Sequence, residues 1–287
     1  MSVKEYVIAT SVVPHKIRNI SQPPDKLFVH GCNVNELLLR PCITIVGSRK
    51  VSAYGRQVTA KLAGELARAG IVIISGLALG VDSIAHQAAL DAGGVTLAVL
   101  PSPLNQIYPR SHLGLAERIV RQGGALLSEY PPGASLYPMN FIARNRIAAA
   151  CCDVLLITEA AEKSGTLHTA GFALEQGKPV LAVPGNITSP TSAGTNNLIK
   201  TGAAPVTCVE DVLQALGLEP AAKDRTAPKG ATPNEQGILD LLVSGICDGA
   251  TLLTESRMEV SQFNQALTML EIRGQIRALG NNQWGLQ

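Results

Sequence analysis

The feature that most constrains what this chain can fold into is a repeated alternation along its middle. Short apolar runs at residues 43–46, 71–74, 95–100, 125–127, 154–157 and 180–183 are separated by amphipathic stretches. A strand with one wet face alternates apolar and polar side chains, whereas a run without that alternation suits a strand covered on both faces. The intervening stretches have helical spacing. Val58, Leu62 and Leu66 recur every four residues and Gly70 closes that pattern; Leu113, Ala116, Ile119 and Val120 mark another. Strand and helix in alternation predict an α/β fold: a doubly wound, mostly parallel, Rossmann-like sheet.

A length of 287 residues suits one such domain with an accessory module. The main domain is expected over 41–218. Residues 1–40 are read as a lead-in that packs on it, with Pro23-Pro24 before a strand-like Leu27-Phe28-Val29. Residues 219–233, rich in Pro, Ala, Lys and Thr, read as a linker. Residues 234–287 carry three short helical patterns, at 234–243, 250–258 and 260–274. Two strand-like pieces follow, at 275–279 and 283–286, around the turn Gly280-Asn281-Asn282. Three helices and a hairpin predict a C-terminal winged-helix domain.

Composition narrows the function classes. The net charge is only +2, so any site for a polyanion must be built locally. Six cysteines form no C-x-x-C pair and none stands at metal-ligand spacing from a histidine, which reads as buried thiols in a reducing, cytoplasmic setting without a metal. The first sixteen residues lack the apolar core of a signal peptide, and no apolar run reaches the ~18 residues needed to span a membrane. Aromatic residues are 3% of the chain, so base stacking is expected to contribute little to nucleic-acid binding.

In an open parallel sheet, ligands bind beyond the carboxyl ends of the strands. The residues following the apolar runs there are Gly47-Ser48-Arg49-Lys50, Ser75-Gly76-Leu77-Ala78-Leu79-Gly80, Glu159 with Lys163-Ser164-Gly165-Thr166, and Pro184-Gly185-Asn186 with Gly194-Thr195-Asn196-Asn197. Such turns suit phosphate: helix N-termini offer free N–H groups and a positive dipole end, glycine permits close approach, hydroxyls donate, and Arg49 and Lys163 add charge. No nucleotide fingerprint is intact. Gly47-Ser48-Arg49 is not G-x-G-x-x-G, and Lys163-Ser164-Gly165-Thr166 lacks the order of a Walker A loop, so neither a dinucleotide nor ATP is expected as cofactor.

Arg144-Asn145-Arg146 opens an apolar helical stretch. Its arginines either face a ligand or pair with Glu129 or Glu159 and brace the domain; for the two glutamates, structural pairing is preferred over catalysis. Asp82 and His86, four apart, read as a helix N-cap and a bridge between elements rather than an acid–base pair. No catalytic set stands out, so no enzymatic activity is expected.

Taken in order, these residues resemble the DNA processing protein A (DprA, or Smf) family. The match runs through Ile45-Val46-Gly47-Ser48-Arg49, Ser75-Gly76-Leu77-Ala78 with Gly80, Asp82, Ala85 and His86, then Tyr108-Pro109 and Ser128-Glu129-Tyr130-Pro131. It continues through Arg144-Asn145-Arg146, Glu159-Ala160, Lys163-Ser164-Gly165-Thr166, Pro184-Gly185 and Gly194-Thr195-Asn196 to Gly202-Ala203. It departs at Pro101-Ser102-Pro103-Leu104-Asn105, where the family usually has a glycine-rich turn, and leaves no room for the helical N-terminal domain of longer members. The resemblance implies a protein that binds single-stranded DNA without strict sequence preference, protects incoming DNA and loads the recombinase RecA in natural transformation, and self-associates as a dimer. Carried over onto this chain, the DNA-binding residues are Gly47, Ser48, Arg49, Arg144, Asn145, Lys163, Ser164, Gly165, Thr166 and Asn196.

Two rivals compete. Nucleotide-hydrolysing enzymes of the same Rossmann-like superfamily place a carboxylate near a Gly-Thr loop, and none directly follows Thr166 here. A duplex-reading regulator needs basic residues on its recognition helix, and 260–274 holds only Arg273. A protein-interaction role for the winged helix is preferred.

Overall fold

A computed structural model describes residues 4–9, 13–218, 229–280 and 282–286. The chain forms two compact units, Met1–Leu218 and Glu219–Gln287. Residues 219–228, the first part of the expected linker, lie outside the described residues, as does Asn281 of the expected turn.

The first unit runs β1 (Lys4–Ala9), α1 (His15–Arg18), β2 (Lys26–Gly31), α2 (Val34–Leu37), β3 (Cys42–Val46), α3 (Ala53–Arg68), β4 (Val72–Ser75), α4 (Val81–Asp91), β5 (Thr96–Leu100), α5 (Leu113–Arg121) and β6 (Ala125–Ser128). It continues α6 (Pro138–Cys151), β7 (Val154–Ile157), α7 (Thr166–Glu175), β8 (Val180–Ala182), α8 (Ala193–Lys200), β9 (Ala204–Pro205) and α9 (Val209–Ala215). All six apolar runs are strands. Every residue of β3 through β8 is buried, as a sheet covered on both faces requires.

These strands belong to one nine-stranded sheet in the order β1-β2-β6-β5-β4-β3-β7-β8-β9. From β6 through β9 all neighbours are parallel. The segment before residue 41 does more than pack on the domain. Strand β2 pairs antiparallel with β6, and β1 antiparallel with β2, so the segment extends the sheet. Chain order runs outward in one direction from β3 to β6 and in the other from β7 to β9, which makes the β3/β7 junction the topological switch point. The loops leaving β3 and β7 diverge there and open a crevice at the carboxyl edge.

The second unit comprises α10 (Pro233–Val243), α11 (Gly249–Ser256), α12 (Val260–Ile272), β10 (Ile276–Gly280) and β11 (Gln283–Leu286). Helix α10 is capped by Thr232, whose hydroxyl accepts from the Glu235 N–H at 3.2 Å. Strands β10 and β11 pair antiparallel, and β11 also meets the segment before α11, with Trp284 N donating to Cys247 O at 2.8 Å. Ile238, Leu239, Leu252, Phe263, Leu267, Leu270 and Ile276 form its core. This is the expected winged helix.

Candidate functional site

A cleft of about 520 Å³ lies at the switch point. One wall is the β3–α3 loop, Gly47-Ser48-Arg49-Lys50; another is the β7–α7 loop, Ser164-Gly165-Thr166; a third is the first part of α6, with Phe141, Ile142, Arg144 and Asn145. Thr191 comes from the turn before α8.

Each loop is tied down by its own backbone. Ser48 N–H donates to Glu159 O at 2.8 Å, and Val81 N–H to Ser48 O at 3.1 Å, linking the ends of β3 and β7 to the start of α4. A Cβ on Gly47 would meet Glu159 O at 2.8 Å, so glycine is required where these backbones cross. Helix α3 starts on Ser52, whose hydroxyl accepts from Gly55 N–H at 3.0 Å; the Ser52 N–H and hydroxyl in turn donate to the buried Glu159 carboxylate. On the other wall, Ser164 Oγ accepts from Thr166 N–H at 3.2 Å, and Thr166 Oγ1 donates to Gly47 O at 3.1 Å.

Gly165 differs from Gly47. Its φ is −59°, which any residue adopts, and a Cβ there would meet nothing within 4 Å. Neither conformation nor packing demands glycine at this position. It stands at the N-terminus of α7 with open space before it; the Thr166, Leu167 and His168 N–H groups are bonded within the turn, so the helix dipole and the nearby side chains are what this corner offers an anion. Arg49, Lys50 and Lys163 are exposed around this corner. Among the described residues none of the three forms an ion pair; Arg49 instead lies over the Phe141 ring, 5.2 Å from its centroid.

The floor is a buried polar layer. Arg144 is 4% exposed, and its Nη1 donates to Gly76 O at 2.6 Å and to Val99 O. Asp82, 5% exposed, accepts from the Gly76 and Ala78 N–H groups at 3.1 and 3.4 Å. Burial pushes the Asp82 carboxyl up from its ordinary range, and Arg144 beside it pulls the other way. A Cβ on Gly76 would collide with the guanidinium, so Gly76 exists to admit Arg144. Beneath it, His86 Nδ1 bonds Thr96 Oγ1 at 2.6 Å. Burial, with Arg144 and His112 nearby, pushes this imidazole down to about 3, which keeps it neutral.

Several expectations change at this point. Arg144 lines the floor of the cleft, where its Nη1 is held by two carbonyls and its Nε by Asn145 Oδ1, at 3.2 Å, so these donors brace the site. Arg146 does pair with Glu129, through two bonds of 2.8 and 2.6 Å. Glu159 pairs with neither arginine and instead holds the start of α3. Asp82 is not the N-cap of α4: Gly80 takes that position with φ +81°, where a Cβ would strike Ser48 O, and Asp82 reaches back to the preceding loop. His86 bridges to β5 as expected. Asn196 does not line the cleft; its amide bonds Gly185 N and O at 3.1 Å each. Lys163 is exposed two residues before Gly165 and does not itself line the cleft. The sequence reading passed over Lys50, Phe141 and Thr191 as site residues; the one available signal was Phe141, which stands three and four positions before Arg144 and Asn145 on the same helical face.

Comparison with known proteins now bears on this geometry. The family model for DNA recombination-mediator protein A matches residues 6–217, most of the chain. The chain belongs to this family. A second model, for the DprA winged helix domain, matches residues 219–282. Protein Smf of Escherichia coli is 47% identical over 205 residues, which are 71% of this chain and 54% of that protein, so the match spans about half of that relative. The DNA processing protein DprA of Bacillus subtilis is 39% identical over 209 residues, 73% of this chain and 70% of the relative. Among solved structures, DNA processing protein A of Streptococcus pneumoniae superimposes with a TM-score of 0.68 at 38% identity, covering 74% of each chain. That of Helicobacter pylori, described by its single-stranded DNA binding mode, gives 0.67 at 34% identity, covering 74% of this chain and 95% of the other. The two family models thus cover both units, the one with the α/β sheet and the one with the winged helix.

Proposed function

We propose that this chain binds single-stranded DNA without sequence preference, seating a backbone phosphate at the switch-point cleft. The observation that carries the reading is the corner made by Gly165 and the start of α7, with Arg49, Lys50 and Lys163 around it and none of them held by a carboxylate. Ser48, Ser164 and Thr166 shape that corner, Asn145 completes its wall, and Arg144 and Asp82 hold its floor. Phosphate contacts give affinity without reading sequence. A flexible single strand can bend a phosphate into a concave cleft.

The enzyme rival is disfavoured by how the carboxylates are used. Glu129 is held by Arg146, Glu159 by Ser52, and Asp82 by two backbone N–H groups, which leaves none of them poised as a general base. Following the family, we further propose that the protein protects incoming DNA and hands the strand to the recombinase RecA in natural transformation, acting as a dimer in the cytoplasm. A family of recombination mediators supports that assignment, and six free cysteines suit a reducing compartment. Among the described residues, no helix is long and apolar enough to cross a membrane. For the winged helix we propose a protein-interaction role. Arg273, following α12, is tied to the buried Glu235 at 2.6 Å, and α12 itself carries no Lys or Arg.

The test is equilibrium binding of a labelled thymidine oligomer at stated salt, with unlabelled single strand, duplex and ATP as competitors. The single strand should compete best and ATP not at all; preference for duplex or nucleotide overturns the reading. Stimulation of RecA assembly on single strands tests the mediator role.

A further inference from the structure

A second groove lies at the carboxyl end of β8, between α3 and the β8–α8 loop. It begins where the switch-point cleft ends: Lys50 and Thr191 line the cleft, Ser52 and Ser192 the groove. Tyr54, in the first turn of α3, divides it. The Tyr54 hydroxyl donates to Pro184 O at 2.8 Å, so the ring is tethered at both ends. A cavity of about 440 Å³ lies on one side, with Ser52, Asn186 and Ser189. One of about 340 Å³ lies on the other, with Gln57, Val58 and Lys61. The two share only Tyr54 and Pro184. The tyrosine is 47% exposed. The facing loop is fixed in place: Asn196 bonds both Gly185 N and Gly185 O, and a Cβ on Gly185 would strike Ser192 Oγ.

Charge and continuity decide what such a groove takes. No carboxylate lines either cavity. Lys50 at the near end and Lys61 at the far end are exposed, and among the described residues neither forms an ion pair. Asp211, held by the Thr207 N–H and hydroxyl, turns the surface acidic beside Thr207 and leaves Lys61 as the exit. A polyanion leaving the cleft on this side therefore meets a cation, a tethered aromatic ring and a second cation in turn. We propose that the groove is a second nucleotide subsite, in which Tyr54 stands between two successive bases of the strand whose phosphate sits in the cleft. This rests on the reading of the cleft as a single-strand site. A ring fixed at both ends enters only where neighbouring bases part, and parting them costs a duplex its stacking, which a flexible single strand largely avoids. Every base has a face to stack on, so the subsite reads no sequence.

The experiment moves one abasic position at a time along a thymidine oligomer, with the full chain and its Tyr54→Ala and Tyr54→Phe variants. In wild type, two adjacent positions should weaken binding when abasic, and in Tyr54→Ala the same two should lose their effect. Stacking on one aromatic side chain implies that Tyr54→Ala loses roughly five- to 150-fold on the intact strand. Its slope of log K against log salt should match wild type, because no phosphate contact is removed. Tyr54→Phe keeps the ring and should keep the abasic profile. In wild type, iodouracil at either position should photo-cross-link to Tyr54, a readout that needs no variant. Wild-type affinity and profile in Tyr54→Ala, equal weakening of every strand, or a cross-link that avoids Tyr54 overturns the subsite. A changed sedimentation mass in Tyr54→Ala with an unchanged abasic profile assigns the groove to contact between copies and also overturns it. All of these leave the phosphate site standing. Failure of wild type to bind any strand overturns the single-strand reading itself.

Discussion

Replacing Arg144 with methionine separates a bracing role from a DNA contact. The guanidinium is 4% exposed and faces Asp82, which is 5% exposed. Removing it leaves the Asp82 carboxylate buried without its counter-charge, and leaves Gly76 O and Val99 O without a donor. Leaving two buried carbonyls without a donor costs about 1–3 kcal/mol each, against a total stability of about 5–15 kcal/mol for a domain. With a urea m-value of about 2–3 kcal/mol/M, the unfolding midpoint should fall by on the order of 1–2 M. The spectroscopy separates the two units. All five tyrosines lie in the first, and the single tryptophan, Trp284, lies in the second. The tyrosine transition should move and the Trp284 transition should stay. Adding Asp82→Asn removes the stranded charge, so the double variant should regain part of the loss. The reasoning is refuted if Arg144→Met keeps the wild-type midpoint while its DNA affinity and salt dependence fall.

Two further outcomes follow from the same geometry. His86 is held neutral down to about 3, whereas its unfolded counterpart takes a proton near 6.5. Below 6.5 the unfolded state binds the extra proton, so stability should fall by about 1.4 kcal/mol per pH unit as pH drops toward 3. Stability-against-pH curves for wild type and His86→Gln check this, and equal slopes would refute it. Removing residues 219–287 should leave single-strand affinity close to wild type, because the cleft is built entirely within the first unit. Loss of most affinity in a folded truncation would place the binding surface in the winged helix.

The parallel strands were legible because burial on both faces leaves a plain mark in sequence. The antiparallel additions were less so. In β2, Leu27-Phe28-Val29 could be read as strand-like, but nothing local says that it pairs antiparallel with β6 and extends the sheet. The loops of the cleft could be read from their glycines and hydroxyls, since phosphate-type turns need those residue types. The two arginines of the 144–146 segment could not be told apart. They differ only in what the fold brings opposite them: carbonyls of Gly76, just after β4, and of Val99 in β5 for one, the Glu129 carboxylate for the other. Asn196 was named only through the family resemblance, and its bonding partner, Gly185, is adjacent only after β8 and α8 have folded back. The role of Gly76 was hidden for the same reason, since nothing local says that a guanidinium must pass over it.

The central claim is that backbone phosphate is held at the cleft by Arg49 and Lys163. The most direct measurement is the affinity for a thymidine oligomer as a function of salt, for wild type, Arg49→Ala and Lys163→Ala. Each lost phosphate contact on a single strand should lower the slope of log K against log salt by about 0.7. The account predicts that each variant stays folded, binds all sequences more weakly and shows that flatter slope. Wild-type affinity and an unchanged slope in both variants would contradict it.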